Sequence, residues 1–258
     1  MSKKARRQDL LLSVLETNAS IRVNELADQL DVSTETVRRD LSELDSTGRI
    51  KRTYGGAMRT KSFEPALSER LTQHIAAREK IAQMAVEYLG NSSSLFIGGG
   101  ATTLHFARAL RQTRRPLTVL TPSFSIAMEL SINPALEVMA LPGIVEPNEG
   151  VVWGGETLNC IEKFHTTLAV VGASGVDTKG ISEASSNIAH VYSAMIRNAD
   201  ETMVLADASK FGERSLQQTV AMQSNLCVIT DRRPDQSISD SILRHGARLV
   251  CGAMDDES

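Results

Sequence analysis

The stretch from Ile21 to Ala57 most constrains what this chain can fold into. Val23, Leu26, Ala27 and Leu30 recur at helical spacing. A break at Asp31 and Val32 is followed by Ser33, a residue type whose hydroxyl caps helix starts. Val37, Leu41 and Leu44 then mark the apolar face of a second helix, and Gly48 is a residue on which helices commonly end. A basic, strand-like run follows, Arg49-Ile50-Lys51-Arg52-Thr53, closed by Tyr54-Gly55-Gly56-Ala57. Two helices joined by a tight turn, then a basic hairpin, is the order of a winged helix-turn-helix.

A recognition helix needs one apolar face for its own domain and polar side chains near its N-terminus for base edges. With Val37, Leu41 and Leu44 pointing one way, Glu35, Arg39 and Ser42 point the other, with Arg38 on the flank. Thr34, Glu35, Arg38 and Arg39 suit base contact: arginine forks onto guanine O6 and N7, and glutamate accepts from cytosine N4. Either arginine also suits phosphate, which positions a protein without reading sequence. Ser33, Thr36, Arg49, Lys51, Arg52 and Tyr54 complete the expected DNA-binding set. The competing reading is a solvated helix face made of Arg38, Arg39, Asp40 and Glu43. The register of break, cap and basic wing favours DNA.

Charge is spread unevenly in a way that agrees. Residues 1–61 carry 12 Lys and Arg against 9 Asp and Glu, whereas the remainder carries 16 against 22. A basic end on an acidic body means that one part meets a polyanion and the other does not. Lys3-Lys4-Ala5-Arg6-Arg7 suits either phosphate contacts or a solvated tail. A helix from about Ala5 to Thr17 is expected to pack under the recognition helix.

No apolar run approaches a membrane span, and the run after the basic start is too short and too charged for a signal peptide. Cys160, Cys227 and Cys251 are odd in number and far apart, which disfavours a disulfide framework or a metal knuckle. His74, His105, His165, His190 and His245 have no ligand spacing, so each is expected at the surface or satisfied in the core. A cytoplasmic protein with no metal and no cofactor is the expectation. Trp153 is expected in the core, with a pocket cover as the alternative.

Beyond residue 75 the pattern is α/β. Apolar, β-branched runs at 94–98, 117–121, 136–141, 167–172, 202–207 and 226–231 alternate with helical patterns at 101–110, 123–131 and 187–198. Such alternation predicts a mostly parallel sheet covered on both faces. The expected division is a DNA-binding domain at 1–60, a linker at 61–75 containing Pro65, and a larger α/β domain at 76–258 opening on a helix from about Ala77 to Leu89.

In such sheets ligands bind beyond the carboxyl ends of the strands. Three segments there are candidates. Gly98-Gly99-Gly100-Ala101-Thr102-Thr103 joins a strand to a helix; its glycines let backbone N–H groups approach an anion, and its threonines add donors. It lacks the Gly-Lys-Ser/Thr of a phosphate-binding loop of the NTPase kind, and Thr103 replaces the third glycine of a dinucleotide loop. A glycine turn that simply lets strand and helix pack is the plain alternative. Asp207 suits a sugar hydroxyl and Lys210 a phosphate, the alternative being a turn cap and a solvated lysine. Gly172-Ala173-Ser174-Gly175 offers backbone donors or only a tight turn. Ser123 and Asn187 begin helices, with capping the default role and ligand contact second.

The run Val32-Ser33-Thr34-Glu35-Thr36-Val37-Arg38-Arg39-Asp40-Leu41, with Leu44, Gly48, Arg52 and Tyr54-Gly55-Gly56-Ala57, resembles the DNA-binding signature of DeoR-family bacterial transcriptional regulators. The resemblance continues in Leu117-Thr118-Val119-Leu120-Thr121 and Leu205-Ala206-Asp207-Ala208-Ser209-Lys210-Phe211-Gly212, and so spans most of the chain. It implies a repressor, usually of sugar or sugar-derivative catabolism, that oligomerises as a dimer or tetramer and responds to a phosphorylated metabolite. It also implies a sensor domain similar to the ribose-5-phosphate isomerase and CoA-transferase type of fold, with the anion loop at Gly98–Thr103. The chain departs from the family's pattern at three places: Gly98 stands where Asp is usual, Ala101 where Ser or Thr is usual, and Pro122 where Asn is common. Two of these changes remove side chains able to hold a sugar or its phosphate, and Pro122 lacks both a side-chain amide and an N–H, while the backbone donors of the glycine loop stay.

Two functions fit. One is a ligand-responsive repressor with no catalytic residue. The other is a sugar-phosphate isomerase-like enzyme carrying a DNA-binding head, for which Asp207 and Glu183 are the candidate general bases.

Overall fold

The computed structural model describes residues 3–17, 21–46, 50–53, 56–59 and 64–252. The chain forms two compact units, Met1–Pro65 and Ala66–Ser258.

The first unit runs α1 (Lys3–Thr17), β1 (Ile21–Arg22), α2 (Val23–Leu30), α3 (Thr34–Ser46), β2 (Ile50–Thr53) and β3 (Gly56–Arg59). Helix α2 ends because Asp31 turns left-handed, with φ 51°, and the Val32 N–H then closes back onto the Ala27 carbonyl at 3.1 Å. Ser33 starts α3 as its spacing predicts: its Oγ accepts from the Thr36 N–H at 3.2 Å. Leu11, Leu26, Val37, Leu41, Leu44 and Ile50 are fully buried together, so α1, α2, α3 and β2 share one core. Burying each of those side chains contributes about 1.5–3 kcal/mol, which is what holds so small a unit closed. The strands lie antiparallel in the order β1-β3-β2, with Thr53 opposite Gly56. The residues expected to end α3 and to close the wing, Gly48, Arg49, Tyr54 and Gly55, lie outside the described residues.

The second unit begins with α4 (Leu67–Arg70) and α5 (Ile75–Glu87). The stretch 61–75, expected as a linker, therefore packs into the second unit from Ala66 onward: the Leu67 N–H donates to the Asn148 carbonyl at 3.0 Å. There follow β4 (Ser94–Ile97), α6 (Ala101–Leu110), β5 (Leu117–Thr121), α7 (Phe124–Leu130), β6 (Leu136–Ala140), the hairpin β7 (Ile144–Glu146) and β8 (Val151–Trp153), and α8 (Gly155–Ile161). Then come β9 (Thr166–Gly172), β10 (Gly175–Asp177), β11 (Gly180–Glu183), α9 (Ser186–Arg197) and β12 (Ala199–Leu205). A 3-10 turn (Ala208–Lys210), β13 (Gln217–Ala221), β14 (Leu226–Thr230), α10 (Gln236–Arg244) and β15 (Arg248–Cys251) complete it.

Seven strands form one sheet in the order β15-β14-β12-β9-β4-β5-β6, with every neighbouring pair parallel. Side-chain alternation splits each strand between two cores. Leu95, Ile97, Val119, Val170 and Leu205 pack with α5, α6 and α7 on one face. Phe96, Leu120, Val171, Val204 and Val228 pack with α8, α9 and α10 on the other. Trp153 is half-buried against this second core. Burial on both faces is why these strands read as near-continuous apolar runs. The order runs outward from β4 in one direction through β5 and β6, then restarts at β9 and runs the other way. That reversal places a crevice beyond the carboxyl ends of β4 and β9.

Candidate DNA-reading helix and ligand site

Helix α3 presents Arg38 and Arg39 exposed, as the helical period predicts, and Glu35 with them. Arg39 Nε lies 3.5 Å from Glu35 Oε1, one turn back, so the two form an exposed ion pair on the helix surface. Thr34 and Thr36 are partly buried at the helix start, and Ser33 and Thr36 share a hydroxyl hydrogen bond at 2.9 Å. Lys51 and Arg52 lie on β2 of the wing.

Asp40 does not fit the competing reading of a solvated face. It is 2% exposed and accepts from Arg7 Nε at 2.5 Å and Nη2 at 3.2 Å. That hydrogen bond raises the Arg7 guanidinium above its ordinary value. Next to it Lys4 pairs with Glu43 at 2.6 Å, and hydrogen bonding from Lys4 holds the Glu43 carboxyl below the ordinary range. The basic N-terminal run is thus part of α1, and Lys4 and Arg7 brace the recognition helix.

In the second unit, the three candidate segments lie at the ends of neighbouring strands. Gly98–Gly100 follows β4, Gly172 ends β9 with Ala173 and Ser174 after it, and Asp207–Lys210 follows β12. Ala101, Thr102 and Thr103 form the first turn of α6, whose first internal bond runs from the Leu104 N–H to the Gly100 carbonyl at 3.0 Å. The N–H groups before it have no partner inside the helix. Gly100 has φ 117°, a conformation side chains rarely adopt. A side chain at Gly99 would collide with Val151, whose Cγ1 lies 2.2 Å from the Cβ position. The β7–β8 hairpin therefore lies over the glycine loop.

Ser123 caps α7, its Oγ accepting from the Ile126 N–H at 3.4 Å. Helix α9 is capped by Ser185, and Asn187 sits inside its first turn, so the expected capping role of Asn187 is corrected: the chain enters the helix two residues earlier. Ser174 Oγ donates to Glu183 at 2.7 Å, with both residues buried.

Asp207 caps the 3-10 turn that carries Lys210, accepting from the Ser209 N–H at 3.1 Å. Burial pushes its carboxyl up, but the Ser209 hydrogen bond and the charges of Lys210, Arg78 and His74 outweigh this and hold it below the ordinary range. Arg78 Nε stands 3.5 Å away. From the neighbouring strand end, Asp231 accepts from the Ala208 N–H at 2.8 Å. His105 departs from the satisfied-core expectation: it is 7% exposed, and its buried Nε2 has no hydrogen-bond partner among the described residues. Burial, with the charges of Arg108 and Arg78, pushes its imidazolium pKa down. Among the described residues, no group of three or more His, Cys, Asp or Glu could hold a metal ion. No helix of the described residues is long and apolar enough to cross a membrane.

Residues 7–63 match the DeoR-like helix-turn-helix domain family, and residues 73–232 match the DeoR C-terminal sensor domain family. The chain belongs to the DeoR family. This DeoR-family transcriptional regulator is 30% identical over 230 residues to the uncharacterised HTH-type transcriptional regulator YulB of Bacillus subtilis, covering 88% of each chain. It is 27% identical over 249 residues to the glycerol-3-phosphate regulon repressor of Escherichia coli, covering 96% of this chain and 98% of that one. Among solved structures it is similar to ribose 5-phosphate isomerase A from Methanocaldococcus jannaschii, at TM-score 0.39 and 20% identity, over 57% of this chain and 56% of that one.

Arg78, Tyr192, Asp40 with Arg7, and Asp231 were not singled out from the sequence. Arg78 carried a usable signal, since it shares a helical face with Ile81, Ala82 and Ala85.

Proposed function

We propose that this chain is a cytoplasmic repressor that binds operator DNA through α3 and its wing and is controlled by a phosphorylated sugar or sugar derivative at the carboxyl edge of the seven-stranded sheet. The observation that carries the ligand reading is convergence. Gly98–Thr103, Gly172–Ser174 and Asp207–Lys210, far apart in sequence, end three adjacent strands at the point where strand order reverses. Backbone donors and helix dipole at the glycine loop suit the phosphate, Lys210 adds a cation, and Asp207 suits a hydroxyl. The glycerol-3-phosphate regulon repressor among its relatives supports a small phosphorylated effector. Its regulator relatives support binding without turnover, with Asp207 and Glu183 in polar contacts rather than acting as bases. Helix-turn-helix proteins commonly read two half-sites as dimers, which supports a homo-oligomer on DNA.

A ligand can switch DNA binding only by favouring one of two states. Arg78 supplies a route within the second unit. Its Nη1 donates to the Gln73 carbonyl at 2.8 Å and to the Arg70 carbonyl, while Nε faces Asp207. Arg70 in turn pairs with Glu149 in the hairpin over the glycine loop. Helix α4, the first element after the DNA-binding unit, is thereby tied to two borders of the ligand edge. Selection of bound sequences from a random duplex library tests the DNA arm: one recurring motif is expected, and unselected DNA would refute it. Melting temperature against matched free and phosphorylated sugars tests the other arm. A ligand at a hundredfold excess over its Kd adds about 2.7 kcal/mol to the stability.

A further inference from the structure

We propose that Tyr192 is the positioning residue of the glycine loop: its ring takes the place of a side chain at position 98, and its hydroxyl aims the loop's backbone donors at an anion. This rests on the ligand reading above and deepens it. Tyr192 lies on α9, is 4% exposed, and donates its hydroxyl to the Gly99 carbonyl at 2.7 Å. Its Cε1 stands 2.8 Å from where a Cβ on Gly98 would sit, so any side chain at 98 and the Tyr192 ring compete for one volume. Position 98 is therefore glycine because an aromatic ring reaches in from the opposite helix.

The hydrogen bond has a directional consequence. In a planar trans peptide the C=O and the following N–H point opposite ways. Tyr192 holds the Gly99 carbonyl, so the Gly100 N–H points away from Tyr192. Gly99 cannot swing to relieve this, because Val151 and Ser123 close its other side. The end of β9 approaches too: a Cβ on Gly172 would lie 3.9 Å from the Gly99 oxygen. The loop is thus fixed from α9, from the hairpin and from β9. With neither carboxylate nor amide at 98, it recognises ligand by main-chain N–H groups and the Thr102 hydroxyl, while the buried Thr103 hydroxyl donates to the Gly100 carbonyl at 3.1 Å and so braces the loop. That donor set suits an anionic group, a phosphate monoester, and discriminates against a neutral polyol.

The test uses the full chain with three probes: inorganic phosphate, glycerol 3-phosphate and glycerol, measured by calorimetric titration. Y192F keeps the ring and loses only the hydroxyl. It should melt within a few degrees of the wild type and bind both phosphate probes about three- to tenfold more weakly, the loss of one hydrogen bond. M195A, fully buried on the same helix, is the packing control. It should lower the melting temperature and leave phosphate affinity unchanged. Wild-type binding of phosphate with equal affinity in Y192F overturns the role of Tyr192 and leaves the ligand reading standing. An equal loss in M195A overturns it likewise, because stability alone would then explain the effect. Wild-type protein that ignores both phosphate probes, or binds glycerol as tightly, overturns the ligand reading and this inference together.

Discussion

Arg78 and Asp207, 129 residues apart in sequence, face each other at 3.5 Å with side chains 3% and 1% exposed. The pair joins the α4–α5 junction to the turn carrying Lys210. Removing Arg78 takes away one of the charges that balance the buried Asp207 carboxylate, which keeps the Ser209 hydrogen bond and the charge of Lys210.

R78M should therefore destabilise the protein, by less than the roughly 3–5 kcal/mol lost when a buried charge is left fully uncompensated. The double variant R78M/D207N should lose less than the sum of the two single losses. Urea denaturation of the four proteins measures the coupling, and strict additivity would show that the two residues do not interact.

Asp40 and Arg7 make the corresponding pair in the DNA-binding unit. R7A leaves a carboxylate that is 2% exposed with only the Gln8 amide at 3.5 Å among the described residues. The unit should lose stability, by less than the roughly 3–5 kcal/mol of a fully buried pair because Arg7 is partly exposed, and operator affinity should fall with it. R7A/D40N should recover part of both. Operator binding that survives R7A at wild-type strength would mean that α3 needs no brace from α1.

Arg38 and Arg39 separate by their salt dependence. R39A should cost about 1–3 kcal/mol of operator affinity and relax specificity if it forks onto a base. A phosphate-contacting Arg38 should instead, on R38A, lower the salt slope by about one and weaken all sequences alike. Binding isotherms at several salt concentrations on specific and random DNA distinguish the two. A reversed pattern would exchange the roles.

His105 sets a pH window. Its pKa is lowered in the folded protein by burial and by Arg108 and Arg78, below its ordinary 6.5. The unfolded chain then takes up a proton that the folded one refuses, so stability present above pH 6.5 falls as pH drops below it. H105Q should flatten that loss, read as denaturation midpoints from pH 7.5 to 5. A parallel decline in wild type and H105Q would assign the effect to other groups. Asp207 adds stability above its ordinary 3.8 that is lost only as pH falls through its lowered folded value, a separate window.

Much of this was legible in the sequence because local rules agreed. The Ser33 cap and the Val37, Leu41 and Leu44 face appear as the period predicts. Five of the six apolar runs became inner strands because both sheet faces are covered, and the run at 136–141 became the edge strand β6. The competing solvated-face reading fails at Asp40, because it weighs a charged residue by type although positions 37, 40, 41 and 44 share one helical face. The hairpin at 144–153 and the short strands β10, β11 and β13 were missed, being held by pairings that no local period encodes. Tyr192 shows the same limit: why position 98 is glycine lies in a residue 94 positions away.

Control of DNA binding by a phosphorylated ligand is tested by fluorescence anisotropy of labelled operator as matched phosphorylated and free sugars are added to wild type and K210A. A phosphorylated sugar, and not its free partner, should shift wild-type DNA affinity. K210A should bind DNA equally well but need about tenfold or more of that ligand, the loss of one charge-assisted hydrogen bond. An identical ligand response in K210A, or an equal response to the free sugar, would contradict that control.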